Sequence, residues 1–461
     1  CVPRAVTGHK VRFMKIQKLI AACRAQVGLR GAQLRWVFLL IAGLCAGIAT
    51  VSAQSSLPRI NGHEAHPTRI LAKFKDTVVL AASADALAQV GSRIDWAYRL
   101  VPGLTIMEEA DTHGLASAPA TDETAVRTRL LNRINALKAT GLFEYVEPDY
   151  IVRTCLTPTD QSFVDGTLWG LQNLGQNGGV PGSDIAATAA WDLTTGSTNV
   201  IVAVIDTGVR YTHYDLTNQM WINPGEIPGN GIDDDGNGYI DDVHGINAIN
   251  NTGNPMDDDD HGTHVSGTIG AAANDGNRMV GVAWNVRIMA LKFIGPQGGS
   301  TADAIKCVDY AVAHGARVLN NSWGGSGYSQ ALFNAIERAH EAGVLFVAAA
   351  GNYSINNDQT PFYPASYPNA NIISVAAMNR FDTLADFSHY GLTSVDLGAP
   401  GVSIYSSTSG ADNDYQTFDG TSMAAPHVSG VAALILSLYP SADIGEMTGR
   451  LLGGVVPVPS L

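Results

Sequence analysis

The feature that most constrains the fold is an alternation of two apolar patterns between residues 160 and 461. Runs rich in β-branched and apolar side chains predict strands that are buried on both faces, and helical patterns separate them. The predicted strands cover residues 200–205, 286–294, 318–322, 344–349 and 372–377. The clearest helices are predicted at 301–314 and 330–341, and each is followed by a glycine. Such an alternation is typical of a parallel sheet covered by helices on both faces. We therefore predict an α/β domain over residues 160–461.

A smaller domain is predicted at residues 68–154. An extended pattern at 70–75 opens it, and a helical stretch at 125–140 ends before Gly141. The segment 143–152 is extended at its end. This mixture indicates a small α+β domain in front of the α/β domain.

The residues before this small domain have the features of an export signal. Arg30 and Arg35 precede the apolar run 36–48, and small residues follow at 51–53. We predict a signal peptide over residues 14–53, with Met14 as the candidate start, and hence a secreted protein of the extracellular space or cell envelope. The apolar run is shorter than the roughly 20 residues of a membrane span, so no stable membrane span is expected after signal cleavage. An uncleaved N-terminal anchor is the alternative.

Charge is distributed unevenly along the chain. The net charge is −14, which divides into +7 for residues 1–154 and −21 for residues 155–461. An acidic domain is repelled by phosphates, so we expect no nucleic-acid partner. The opposite charges either attract the two parts to each other or serve solubility alone.

The five cysteines do not form a CxxC pair, which argues against a zinc or redox site. Only Cys155 and Cys307 lie in the C-terminal part of the chain. They either form a disulfide, or Cys307 is a buried free thiol on its predicted helix.

Three segments carry residues suited to nucleophilic catalysis. Asp206 ends a predicted buried strand, His261 opens a His-Gly-Thr-His motif, and Ser422 opens an apolar helix. In open α/β sheets, functional residues gather at the carboxyl ends of the strands. A serine hydroxyl needs an adjacent base, a histidine can take and return a proton near neutrality, and a buried carboxylate can hold that histidine in place.

These motifs, in the order Asp, His, Ser, resemble those of the subtilisin family, the subtilases. The resemblance covers about residues 68–455 and implies a subtilisin-like parallel sheet flanked by helices. It also implies a serine endopeptidase that cleaves protein or peptide substrates through an acyl-enzyme, without a catalytic cofactor. On this resemblance Asp206 orients His261, His261 is the general base, Ser422 is the nucleophile, and Asn352 donates to the oxyanion.

Two alternatives to this interpretation are open. A sedolisin-type serine-carboxyl peptidase shares the fold but would carry a glutamate where His261 stands. A catalytically inactive, subtilase-like scaffold or binding protein would lack one of the key residues, and all of them are present. His264, the second histidine of the motif, is interpreted as structural.

The resemblance also implies a substrate-binding cleft. Residues 322–325 and 348–351 resemble the walls of the primary specificity pocket, and residues 298–300 resemble an edge that pairs with an extended substrate. The contact residues expected from this are Gly299, Ser322, Gly324, Ala350 and Gly351. Because the glycines and the alanine leave room, we expect cleavage after large apolar or aromatic residues. Phe362, beside the segment that resembles the pocket rim, is the residue able to narrow the pocket.

Residues 68–154 resemble the inhibitor-like pro-domain of subtilases, most clearly at 144–148. This implies a zymogen that processes itself and is inhibited by its own pro-domain; an ordinary accessory α+β domain is the alternative. The chain ends soon after its last helical stretch, whereas subtilases usually continue, so we expect the peptidase domain to be truncated at its C-terminus.

An acidic loop before His261 resembles a calcium-binding loop. Oxygen-bearing side chains alternate at Asp233, Asp235 and Asn237, with a glycine at the sixth position, as in the first half of an EF-hand loop. Because the twelfth position is a histidine, Asp241 or Asp242 is expected to complete a structural calcium site. On the family resemblance, Asp215 and Asp275 align with ligands of a second calcium site. A solvated acidic loop is the alternative.

Overall fold

The computed structural model describes residues 12–14, 57–61, 63–78, 83–110, 123–151 and 157–458. Almost all of the predicted signal peptide, including its apolar run, lies outside these residues. The chain divides into two compact units, one of residues 32–154 and one of residues 1–31 and 155–461.

Strands and helices are numbered here along the chain. The strands are β1 (Arg12–Met14), β2 (Arg59–Ile60), β3 (His63–Phe74), β4 (Ser92–Ala97), β5 (Leu104–Glu109), β6 (Phe143–Tyr150), β7 (Gly196–Asp206), β8 (Gly245–Asn247), β9 (Asn285–Lys292), β10 (Ile294–Gly295), β11 (Gly298–Gly299), β12 (Val318–Asn321), β13 (Leu345–Ala349), β14 (Ile372–Met378), β15 (Leu397–Pro400), β16 (Ile404–Ser407), β17 (Tyr415–Phe418) and β18 (Val455–Pro457). The α-helices are α1 (Ala84–Gln89), α2 (Glu123–Ala139), α3 (Gln161–Val164), α4 (Ala187–Trp191), α5 (His261–Gly270), α6 (Thr301–Ala313), α7 (Gln330–Glu341), α8 (Thr421–Leu438) and α9 (Ile444–Gly453).

The smaller unit is an antiparallel sheet covered by a helix. Strand β3 pairs with β2, β5 and β6, and β4 pairs with β5. Helix α2 presents Leu130, Ile134 and Leu137, which are spaced for one helical face, to the core residues of the sheet. The structure thus has the small α+β fold that the sequence predicts.

The larger unit is built on a nine-stranded sheet in the order β18-β1-β15-β14-β13-β12-β7-β9-β8. The strands from β15 to β8 are parallel, and β18 runs antiparallel to β1. Side chains alternate between two cores: Val202 and Val204 of β7 face one, and Ala203 and Ile205 face the other. Burial on both faces is why these strands are continuous apolar runs rather than alternating ones.

Helices cover both faces of this sheet. Helices α5 and α8 pack in one core, and α6 and α7 pack in the other. Helix α7 spans the predicted residues 330–341, and the hydroxyl of Ser329 caps it by accepting from the Leu332 N–H. Helix α8 is long and apolar enough to cross a membrane, but 83% of it is buried inside the unit, as expected for a core helix.

Candidate active site

The carboxylate of Asp206 lies at the carboxyl end of β7 and is completely buried. Its Oδ1 atom is 2.7 Å from Nδ1 of His261 and also accepts from the Thr207 N–H at 2.7 Å. Its other oxygen is buried without a hydrogen-bond partner in the structure. A carboxylate can only accept, so Nδ1 of His261 carries the proton and Nε2 is left to act as a base.

His261 is the first residue of α5, and glycines bring this helix close to the loop after β7. A Cβ on Gly262 would lie 2.1 Å from the carbonyl oxygen of Gly208 and 3.1 Å from Cβ of Asp206. Burial by itself would lower the pKa of His261, but the carboxylate of Asp206, with those of Asp257 and Asp259, outweighs burial and raises this pKa above its usual value of 6.5.

Carboxylates of the acidic run before His261 have separate partners. Asp257 is buried and accepts from the Thr207 hydroxyl at 2.8 Å and the Thr263 N–H at 2.9 Å. Asp260 accepts from both the N–H and the hydroxyl of Ser409 at 2.7 Å. Asp257 therefore ties the residue after Asp206 to the helix of His261. The sequence motif did not reveal this role.

Ser422 is the second residue of α8 and is bound reciprocally to Ser322 at the end of β12. The Ser422 hydroxyl donates to the Ser322 carbonyl at 2.9 Å, and the Ser322 hydroxyl donates to the Ser422 carbonyl at 2.8 Å. The second bond compensates for Pro426, which lacks the N–H that would otherwise bond this carbonyl within the helix. Within the described ranges no hydrogen bond joins Ser422 to His261, although α8 packs against α5. Such bonds often form only when substrate is bound.

Asn352 follows β13 and is fixed by its oxygen atom. Its Oδ1 accepts from the N–H of Thr421 at 2.9 Å and from the hydroxyl of Thr421 at 2.8 Å. The amide nitrogen is thereby left to donate elsewhere. A Cβ on Gly420 would lie 3.5 Å from both Asn352 Nδ2 and Ser422 N. The Asn352 amide nitrogen and the Ser422 backbone nitrogen therefore both lie close to the same point beside Gly420.

His264 and His427 are two buried histidines on the helices of His261 and Ser422. His264 is buried, its Nε2 lies 2.9 Å from the carbonyl of Ile404, and its ring stacks on Phe418. Burial lowers the pKa of His264 to about 3 and that of His427 to about 4. Neither side chain can exchange protons near neutrality, which agrees with the structural interpretation of His264.

The residues expected to contact substrate follow neighbouring strands. Gly299 lies in β11, which is exposed and pairs with β10. Ser322 and Gly324 follow β12, and Ala350 and Gly351 follow the adjacent β13. Of these residues, Ser322 exchanges hydrogen bonds with Ser422, and Gly351 directly precedes Asn352.

Potential ligand atoms of the acidic loop and its surroundings form two groups, and within each group these atoms lie within 4.8 Å of one another. One group joins Glu226, Asp233 and Asp235, and the other joins Asp235, Asp242 and His314. Asn237 donates to both Asp235 and Asp242. Glu226 is buried and was missed by the sequence pattern because it precedes the motif.

Asp241 is not part of either group. Its carboxylate accepts from the backbone N–H groups of Gly229, Asn230 and Gly231 at 2.7–3.1 Å. Of the two aspartates expected to complete the site, Asp242 belongs to one of these groups, whereas Asp241 holds the preceding turn.

Asp215, the residue expected at a second calcium site, lies apart from the acidic loop. This residue is fully buried, its Oδ2 accepts from the Tyr415 hydroxyl at 2.7 Å, and its Oδ1 has no hydrogen-bond partner in the structure. The pKa of Asp215 is raised to about 7, mainly by burial and to a smaller extent by the charges of Asp275 and Asp160. A buried carboxylate oxygen without a donor, exposed to the charges of Asp275 and Asp160, fits a bound cation.

Cys307 is a buried free thiol in α6, and burial raises its pKa above the usual range. Cys155 lies outside the described residues.

Comparison with known proteins finds relatives in the subtilase family, which the motifs of this chain resemble. The model of the subtilase family, peptidase S8, matches residues 197–452. The chain is 38% identical over 305 residues to a thermophilic serine proteinase of Bacillus sp. (strain AK1), covering 66% of each protein. It is 37% identical over 280 residues to subtilisin-like protease 1 of Plasmodium falciparum, covering 56% of this chain and 40% of that one. The chain thus spans two thirds or less of the length of these relatives.

Among solved structures, a protease from Pseudoalteromonas arctica PAMC 21717 is similar with a TM-score of 0.52 and 32% identity, covering 64% of this chain and 91% of that one. The predicted fold, a subtilisin-like parallel sheet flanked by helices and preceded by a small α+β unit, is confirmed. Since the family model matches more than half of its residues, the chain belongs to the subtilase family.

Proposed function

We propose that this protein is a serine endopeptidase in which Asp206, His261 and Ser422 cleave peptide bonds through an acyl-enzyme. The observation that carries the proposal is the 2.7 Å contact between Nδ1 of His261 and the buried carboxylate of Asp206. It fixes the tautomer in which Nε2 of His261 can accept a proton.

In the proposed reaction, Oγ of Ser422 attacks the carbonyl carbon of the scissile peptide while its proton passes to Nε2 of His261. The C–N bond then breaks, and the leaving amine takes that proton from His261. The remaining acyl-enzyme is an ester of Ser422. A water molecule, deprotonated by His261, attacks this ester. As the acid leaves, His261 returns the proton to Oγ of Ser422.

The negative oxygen of each tetrahedral intermediate needs donors that are already in place. Nδ2 of Asn352 and the backbone nitrogen of Ser422 each lie 3.5 Å from the point where a Cβ of Gly420 would be. Thr421 holds the Asn352 amide by donating to its oxygen. The start of α8 adds the positive end of a helix dipole at the same point.

Labelling with a fluorophosphonate probe tests this function, because the probe reacts only with an activated serine. The wild-type protein should be labelled, and peptide mapping should place the label on Ser422. Ser422→Ala and His261→Ala should not be labelled, whereas Ser437→Ala, a change at another serine of α8, should label as the wild type does. An unlabelled wild type that is folded by circular dichroism would instead favour an inactive scaffold.

We further propose that the protein is secreted as a zymogen and cuts itself between its two units. The signal pattern at 14–53 and the pro-domain resemblance of residues 68–154 support this. The first cut is expected near residues 150–165.

Structural calcium is the cofactor that the acidic groups fit best. Carboxylate and amide oxygens are preferred by calcium. Glu226, Asp233, Asp235, Asn237 and Asp242 would hold one ion in the loop, and Asp215, with Asp275 nearby, would hold another. Each ion would neutralise carboxylates that otherwise repel one another, so it would stabilise the fold rather than take part in the reaction.

A further inference from the structure

Gly324 and Gly351 border a space that the protein fills with its own aromatic rings. A Cβ on Gly324 would lie 2.3 Å from Cε1 of Phe362, so the phenylalanine ring is in contact with the Gly324 backbone. A Cβ on Gly351 would lie 2.4 Å from Nδ1 of His389. Phe362 and His389 therefore occupy the volume that side chains at these two glycine positions would fill.

The two rings also contact each other and thus span the distance between the glycines. Their centroids are 5.1 Å apart and their planes are inclined by 73°, an edge-to-face arrangement. A continuous row of contacts therefore runs from Gly324 through Phe362 and His389 to Gly351. This differs from the open space that the small residues of the sequence predict.

Hydrogen bonds hold both rings in place. The residue after Phe362, Tyr363, forms a two-bond backbone bridge with Gly325, with N···O distances of 2.7 and 2.8 Å. Nδ1 of His389 lies 2.9 Å from Oδ1 of Asn357, and the amide nitrogen of Asn357 donates to the carbonyl of Ala350 at 2.9 Å. A substrate side chain could displace Phe362 only by breaking this packing.

The filled space lies beside the proposed chemistry. Gly324 is two residues beyond Ser322, which exchanges hydrogen bonds with Ser422. Gly351 directly precedes Asn352, the proposed oxyanion donor. A peptide whose carbonyl carbon is attacked by Ser422 would therefore bring the side chain of that same residue, on the N-terminal side of the scissile bond, toward Phe362.

We propose that Phe362 determines specificity by closing the primary pocket, so that the enzyme cleaves after small residues such as alanine and discriminates against phenylalanine and leucine. This inference rests on the proposed function and replaces the expectation of cleavage after large apolar residues. One methylene group in an apolar pocket changes selectivity by roughly 10- to 200-fold, so a whole ring in the way should have at least this effect.

The test compares kcat/KM for two peptides that differ only at the residue before the scissile bond, alanine in one and phenylalanine in the other. The full-length wild type should prefer alanine by about 10-fold or more. Phe362→Ala should raise kcat/KM for the phenylalanine peptide by about 10-fold or more while changing the alanine peptide little. Phe362→Leu keeps most of the side-chain bulk, so its preference for alanine over phenylalanine should lie between those of the wild type and Phe362→Ala. Phe381→Ala, which removes an exposed ring elsewhere, should keep the wild-type ratio.

Fluorophosphonate labelling, measured on every variant, needs no side chain in the pocket and separates the two proposals. A labelled wild type that prefers phenylalanine, or a labelled Phe362→Ala with an unchanged ratio, would overturn the role of Phe362 while leaving the serine endopeptidase intact. Absence of labelling in the wild type would overturn the proposed function and this inference with it. The melting temperatures of both Phe362 variants show whether they are folded, so that a loss of folding is not mistaken for a change in selectivity.

Discussion

Nδ1 of His261 lies 2.7 Å from Oδ1 of Asp206, a carboxylate that is completely buried and whose second oxygen has no partner in the structure. Asp206→Asn keeps the shape of this contact but can donate where the carboxylate only accepts, which favours the wrong tautomer of His261. We expect kcat to fall by about 10⁴-fold with little change in melting temperature. Peptide hydrolysis with purified protein measures this, and a loss of less than about 10-fold would show that Asp206 does not orient the base.

The raised pKa of His261 predicts where activity is lost in acid. His261 must be neutral to accept a proton, so kcat/KM should fall with decreasing pH through an apparent pKa above 6.5. Asp259→Asn removes one of the charges that raise this pKa. The acid limb of the pH profile, in which kcat/KM falls with decreasing pH, should therefore move to lower pH. Asp386→Asn, at another exposed aspartate of the same unit, should not move it. A limb that stays in place in Asp259→Asn, or moves equally in both variants, would contradict this electrostatic explanation.

Asn352 is expected to act on turnover rather than on substrate binding. Asn352→Ala should lower kcat by about 100- to 1000-fold and change KM much less, because the oxyanion forms only after attack. Thr421→Val removes one of the two donors that fix the Asn352 amide and should lower kcat by a smaller factor. Steady-state kinetics of both variants provide the test. A main effect on KM would mean that Asn352 binds the substrate instead.

Chelation should reduce thermal stability. With Ser422→Ala present to prevent self-digestion, excess chelator should lower the melting temperature, since an ion at 100 times its dissociation constant stabilises the folded state by about 2.7 kcal/mol. Adding Asp215→Asn should make this decrease smaller, whereas the exposed Asp192→Asn should leave it unchanged. Equal melting temperatures with and without chelator would exclude a stabilising calcium ion.

Self-processing should depend on the triad. Wild-type protein made in a host without related proteases should show a new N-terminus near residues 150–165 by mass spectrometry. Ser422→Ala and His261→Ala should accumulate uncut, because triad members act as a unit. The same new N-terminus in wild type and Ser422→Ala would assign the cut to another protease.

The sequence predicts the fold, and the elements on which Asp206, His261 and Ser422 lie, well because both depend on local patterns. Asp206 ends a doubly buried strand, while His261 and Ser422 open helices. The same holds for helix boundaries: α7 matches its prediction, and α6 ends one residue before the predicted position. In each case the period of apolar residues and a neighbouring glycine mark the element.

Contacts between distant segments could not be predicted in this way. Phe362 lies against Gly324, 38 positions earlier, and no periodicity links the two. Glu226 joins the acidic loop from outside the repeating Asp-x-Asp pattern, and Asp241 satisfies the pattern while its carboxylate bonds to a different turn. A glycine in the sequence indicates only that room exists; the tertiary structure decides whether substrate or another ring occupies it.

Covalent acylation of Ser422 during turnover is the step on which the proposed function depends. It can be observed by intact-protein and peptide mass spectrometry after acid quenching of a reaction with a slowly deacylating ester whose acyl group is small. We expect a mass increase of one acyl group on the peptide containing Ser422 in the wild type, and none in Ser422→Ala or His261→Ala. Steady hydrolysis without any acylated protein, or an acyl group on another residue, would contradict it.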